Sequence, residues 1–191
     1  MAVTSRRLFI ALPVDGEKVA EALKGIYGEF DRYGRILKTV PQTNLHITMK
    51  FLGNADENRY QGLIESFNSF EKVNCINFVL KGLGCFPYIS SPSVIWGGIE
   101  CDMKKISDLF LNVEELCSGL GFEKETRRFI PHLTLARVKR GRDVPGGLKD
   151  LITGSRDKVY AESVFDRLVL FESQLEKEGP QYFNRAEIKL L

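Results

Sequence analysis

The chain of 191 residues contains only two histidines, and each opens the same short pattern. His46-Ile47-Thr48-Met49 and His132-Leu133-Thr134-Leu135 lie 86 residues apart. At that same shift, LFIALP (8–13) falls on VIWGGI (94–99), and an amphipathic segment at 16–34 falls on 102–120. A unit of strand, helix and H-x-T strand thus occurs twice in one register, over about 7–53 and 93–139. We read this as an internal duplication inside a single domain spanning 1–191. Two like units in so short a chain predict two lobes related by an approximate twofold, with the H-x-T strands facing each other.

The pattern along the chain supports an α+β reading. Arg7–Leu12 reads as a buried strand ended by Pro13. Asp15 can cap a helix running to about Tyr33, with Val19, Leu23, Ile26, Tyr27 and Phe30 as its apolar stripe. Strands are expected at Ile36–Val40 and Leu45–Leu52, with Pro41–Asn44 as the turn between them and Gly53-Asn54 as a break. Asp56 and Asp102 can cap two further helices, the second stopping at Gly121. Ile76–Leu80, Val94–Ile99, Phe129–Val138, Val164–Glu172 and Tyr182–Leu190 complete the expected strands. Leu148–Ile152 reads as a short helix.

On a strand, residues i and i+2 share a face. His46 and Thr48 therefore project together, as do His132 and Thr134, while Ile47, Met49, Leu133 and Leu135 face a core. Two imidazoles across a cleft suit in-line displacement at phosphorus. A neutral histidine can take a proton from water, and a protonated one can give a proton to the leaving oxygen. The threonine hydroxyls can donate to the non-bridging oxygens. Residue chemistry alone does not say which histidine is acid and which is base.

Charge points the same way. The whole chain is only +2, yet Lys124, Arg127, Arg128, Arg137, Lys139, Arg140 and Arg142, set against Glu125 alone, place +6 around the second motif. Such a patch suits a phosphate or RNA partner. Arg137 is the best phosphate ligand among them, since a guanidinium can grip phosphate with two donors. It sits five residues after His132, so a bulge or bend is needed to bring it to the same face. Lys50 has the parity of the His46 face. Phe51, Phe86, Tyr88, Tyr182 and Phe183 are candidates for stacking a base.

No cofactor or metal is expected. Cys75, Cys85, Cys101 and Cys117 form no C-x-x-C pair and have no histidine near them, so they read as reduced, partly buried thiols. The longest apolar runs are far short of a membrane helix, and the N-terminal run is too short for a signal peptide, so a cytoplasmic protein is expected. A monomer is expected as well.

PQTNLHITMKFLG (41–53) and RFIPHLTLARVKRG (128–141) resemble the paired motifs of the two-histidine (2H) phosphoesterase superfamily. Within it the chain is most similar to the RNA 2',3'-cyclic phosphodiesterase family, also called 2'-5' RNA ligases. RLFIALPV (7–14), GLGCFP (82–87), VIWGGIE (94–100) and LVLFESQL (168–175) extend the likeness over nearly the whole chain. The resemblance implies a bilobal α+β fold with antiparallel sheets lining a central cleft and helices outside. It implies metal-independent hydrolysis of an RNA 2',3'-cyclic phosphate end to a 2'-phosphate. It makes His46 the proton donor and His132 the proton acceptor, with Thr48, Thr134 and Arg137 holding the phosphate. Joining or cleaving 2'-5' linkages is the same transfer with a ribose hydroxyl in place of water. A non-catalytic RNA-end binding module is the alternative of another class. One departure stands out: the family often has an aromatic residue shortly before the first motif, where this chain has Lys38-Thr39-Val40.

Overall fold

Nine strands and four helices are seen among the described residues of the computed structural model, which are 5–14, 16–177 and 179–191. The strands are β1 (Arg6–Pro13), β2 (Leu37–Thr39), β3 (His46–Ala55), β4 (Ile76–Tyr88), β5 (Ser91–Cys101), β6 (His132–Val138), β7 (Val159–Phe165), β8 (Arg167–Leu175) and β9 (Pro180–Lys189). The helices are α1 (Glu17–Asp31), α2 (Glu57–Asn68), α3 (Met103–Gly119) and α4 (Gly146–Gly154). None of these helices is long and apolar enough to cross a membrane.

The strands form two antiparallel sheets, one ordered β3-β1-β8-β9 and the other β2-β6-β5-β4-β7. The fold is thus α+β. The helices exchange places between the halves. α1, which follows β1 of the first sheet, packs against β2 and β7 of the second, whereas α3, which follows β5 of the second, packs against β3 of the first. One continuous core results, running from Leu8, Ile10 and Leu12 through Leu23 and Phe30 to Ile95, Ile106, Leu133 and Leu135.

The helices form for local reasons that the sequence carries. Val19, Leu23, Ile26 and Phe30 bury the expected stripe of α1. Gly16 occupies its N-cap position without a side-chain cap bond; the expected cap Asp15 lies outside the described residues. Asp56 accepts from the Arg59 N–H, and Asp102 from those of Lys104 and Lys105, so α2 and α3 begin as predicted.

Three strand expectations change. β3 does not break at Gly53 but continues to Ala55. Gly53 takes a positive φ of 68°, and Leu52 is left unpaired between Leu8↔Gly53 and Phe9↔Phe51, so the strand absorbs the glycine as a bulge. The strand expected at Phe129–Val138 starts only at His132, because Pro131 has no N–H to give a ladder. Phe129 instead stacks on Phe110 of α3, with ring centroids 4.5 Å apart. The strand expected at Val164–Glu172 straddles a corner at Asp166. β7 ends at Phe165 in one sheet and β8 starts at Arg167 in the other.

Candidate active site

His46 and His132 are each the first residue of their strand. Each ring is locked in the same way. Nδ1 of His46 lies 2.7 Å from the Asn44 carbonyl oxygen, and Nδ1 of His132 lies 2.7 Å from that of Ile130. A carbonyl only accepts, so Nδ1 carries the proton in both rings, and Nε2 is left to meet a ligand. β3 and β6 approach one another with Cα atoms within 8 Å. Thr48 and Thr134 follow on the same faces as their histidines, half-buried, while Ile47, Met49, Leu133 and Leu135 are in the core.

Both strands then bulge at the same place. On β3 the partners run Ala11↔Thr48 and Ile10↔Lys50, leaving Met49 unpaired. On β6 they run Trp96↔Thr134 and Ile95↔Ala136, leaving Leu135 unpaired. The extra residue resets the alternation. Arg137 therefore returns to the His132 face and is exposed, which is the bend its sequence position requires. Lys50 goes the other way. It is no cleft residue: it is 5% exposed under the sheet, donating to Glu114 Oε2 at 2.8 Å and to the Glu123 carbonyl. The residue in the Arg137 position of β3 is Phe51, which is 65% exposed.

Aromatic rings pack the imidazoles from the sides. Phe9 and Tyr182 lie 5.0 and 5.4 Å from the His46 ring, with Phe171 completing the stack on Phe9. Phe86 meets His132 edge-on at 4.9 Å, and Trp96 lies 6.2 Å away. Gly84 makes room for that indole, since a Cβ there would stand 2.2 Å from the Trp96 ring. This explains the second glycine of GLGCFP. Phe9 and Trp96 were not singled out in the sequence. The signal that finds them is strand pairing, which sets Trp96 opposite Thr134 and Phe9 opposite Phe51. Of the stacking candidates, Phe86 and Tyr182 pack on the histidines, Tyr88 is exposed at the β4–β5 turn, and Phe183 lies under the Arg185 guanidinium.

The electrostatics tie these groups to one spot. Burial pushes the His46 pKa below its ordinary value, the Asn44 carbonyl opposes this, and Arg137 and His132 push it further down. Burial and then Arg137 push His132 down, against the Ile130 carbonyl. Burial raises the Tyr182 phenol, with Arg137 and Arg7 opposing. One guanidinium is thus felt by both imidazoles and the phenol. Two other cations of the basic stretch are engaged elsewhere. Arg127 is gripped by Glu125, whose carboxyl it holds down at about 2, and Lys139 donates to the Gly34 carbonyl. Burial pushes the Cys85 and Cys101 thiols up and the Cys117 thiol up to about 12, so these three are not thiolates. Among the described residues no group of three His, Cys, Asp or Glu is placed to hold a metal ion.

The family described as LigT like Phosphoesterase matches this chain twice, over residues 14–96 and again over 99–182. The chain belongs to that family. A protein of Methanocaldococcus jannaschii named RNA 2',3'-cyclic phosphodiesterase is 36% identical over 176 residues, covering 92% of this chain and 96% of that one. Among solved structures, a Thermus thermophilus protein superposes with a TM-score of 0.76 at 23% identity, over 96% of this chain and 97% of its own. Escherichia coli LigT, solved with 3'-AMP, gives 0.74 at 18% identity, over 98% and 99%. These two show the fold, including its antiparallel sheets.

Proposed function

We propose that this LigT-like phosphoesterase hydrolyses RNA 2',3'-cyclic phosphate ends to 2'-phosphates with its two histidines as acid and base. Nε2 of His132 accepts a proton from the attacking water. As the new P–O bond forms, the P–O3' bond breaks, and the departing 3' oxygen takes a proton from Nε2 of His46. Thr48 and Thr134 donate to the non-bridging oxygens, and Arg137 neutralises the charge that builds on them. The cyclic phosphate carries a negative charge into a site where both imidazoles are otherwise biased toward neutrality, and that charge favours the proton on the donor.

The observation that carries the proposal is the matched locking of the two rings, each with Nδ1 spent on a carbonyl two residues upstream. The name of the M. jannaschii relative supports the substrate. We also take 7–53 and 93–139 as two copies of one unit. In support, the N-caps of α1 and α3 and the starts of β3 and β6 are both separated by 86 residues. The facing strands are offset by one less, since Pro13 pairs with His46 and Gly98 with His132.

The test is an RNA with a 2',3'-cyclic phosphate end, incubated with EDTA and wild type, His46→Ala or His132→Ala. The expected product is a 2'-phosphate, with each variant slower by about 10²–10⁴. Undiminished turnover in both variants would falsify the mechanism, and binding without turnover by wild type would leave only an RNA-end binding module.

A further inference from the structure

Lys38 stands on β2 directly opposite Arg137 on β6. Residues opposite one another in an antiparallel ladder project to the same face, with Cβ atoms roughly 4.5–5.5 Å apart. Their neighbours settle which face. Leu37 and Val138, the adjacent pair, pack on the core, so Lys38 and Arg137 both project from the opposite face, the one that carries His132. Both are exposed, and among the described residues neither meets a carboxylate. Like charges in opposed positions weaken a sheet unless an anion lies against them.

The two cations do not serve the same point. Arg137 bears on both imidazoles, whereas Lys38 bears on neither. The Lys38 ammonium lies instead toward the β8–β9 turn, where a Cβ on Gly179 would come within 3.4 Å of it. That turn is itself pinned to the segment before the first motif, because Asn44 donates to the Pro180 carbonyl at 3.1 Å. Lys38 thus marks a second anion position, beside the scissile one and at the rim where the two sheets meet. A nucleoside 2',3'-cyclic phosphate has one anionic group and cannot use it. A nucleotide that also bears a 5'-phosphate has two, and in an RNA chain that phosphate is the internucleotide link.

We propose that Lys38 binds the internucleotide phosphate on the 5' side of the terminal nucleotide, making this enzyme selective for oligonucleotide ends over mononucleosides. The proposal rests on the cyclic phosphodiesterase reading above.

The experiment compares wild type, Lys38→Ala and Lys38→Arg on adenosine 2',3'-cyclic phosphate, its 5'-phosphorylated form and the ApA dinucleotide ending in the cyclic phosphate. Wild type is expected to favour the latter two by about tenfold or more in kcat/KM, carried by KM. Lys38→Ala should lose that preference while keeping its rate on the nucleoside, and Lys38→Arg should retain it. The salt slope of log(kcat/KM) on the dinucleotide should fall by about 0.7 in Lys38→Ala. Equal use of all three substrates by wild type, or a preference that survives Lys38→Ala, overturns this inference and leaves the hydrolase intact. A preference for the 5'-phosphate that the dinucleotide does not share overturns the oligonucleotide assignment. Failure of wild type on every substrate would strike the underlying function instead.

Discussion

β3 and β6 carry the same features in the same order: a leading histidine, a threonine two residues on, and a bulge at Met49 or Leu135. Beyond the bulge they part. Facing the cleft, Phe51 on one strand stands where Arg137 stands on the other, and facing the core, Lys50 stands where Ala136 does. The shared part is what the proposed proton transfer in two directions needs, an imidazole for each side of one phosphate. The divergent part is what an asymmetric substrate needs, since a nucleotide presents a base at one end and charge at the other. On the proposed reading, duplication supplies the acid–base frame, and the two residues after each bulge supply the asymmetry.

The core-facing difference has the largest consequence for stability. Lys50 is held between Glu114 Oε2 and the Glu123 carbonyl, and Glu114 Oε2 also accepts the Glu125 N–H at 3.0 Å. This buried pair ties β3 to the segment that leads into His132. Lys50→Ala leaves Glu114 buried without its cation, a loss of about 3–5 kcal/mol, or roughly 6–20 °C in Tm. Replacing both by apolar residues of similar volume, Lys50→Met with Glu114→Leu, should recover most of it. Circular dichroism melts check this, and a Tm for Lys50→Ala equal to wild type would mean the pair carries nothing that Ala136 lacks.

The cleft-facing difference is read by kinetics. Arg137→Ala removes the proposed charge-assisted contact to phosphate, and a KM increase of about 10–100-fold is expected for every cyclic phosphate substrate. Phe51→Ala should cost less, about tenfold at most, and unequally between purine and pyrimidine ends, because stacking depends on the base. Its Tm should stay put, since the ring is 65% exposed. Equal losses on all bases from Phe51→Ala would erase the contrast between the strands.

Much of this frame was legible in the sequence because it rests on local rules. The helix stripes, the Asp56 and Asp102 caps and the alternation of H-x-T all follow from spacing. Parity alone required a bend before Arg137. The same reasoning failed at Lys50, because a bulge at Met49 is set by how β3 pairs with β1 and nothing in HITMKF announces it. Phe9 and Trp96 escaped for a related reason: they reach the histidines across strands, so only the pairing register brings them there. The Asp166 corner hides within a continuous β-prone run, where the chain changes sheets at a single residue.

The smallest effect separates the two histidines by what each feels. Both sit below the ordinary imidazole value of about 6.5, so kcat/KM, which in the proposed mechanism needs one protonated and one neutral ring, should peak below pH 6.5 and decline above it. Arg137 depresses both rings, so in the residual activity of Arg137→Ala the two limbs should move to higher pH. The alkaline limb belongs to His46 if it is the donor, and in His132→Ala it should shift up as well, since His132 also bears on His46. Stability obeys the same sign. With folded values below unfolded ones, the unfolded chain binds more protons under pH 6.5, so the histidines' contribution is complete above that pH and is lost as pH falls through the folded values. A pH–rate profile of wild type and Arg137→Ala measures this directly, and coincident alkaline limbs would show that the guanidinium does not reach the imidazoles.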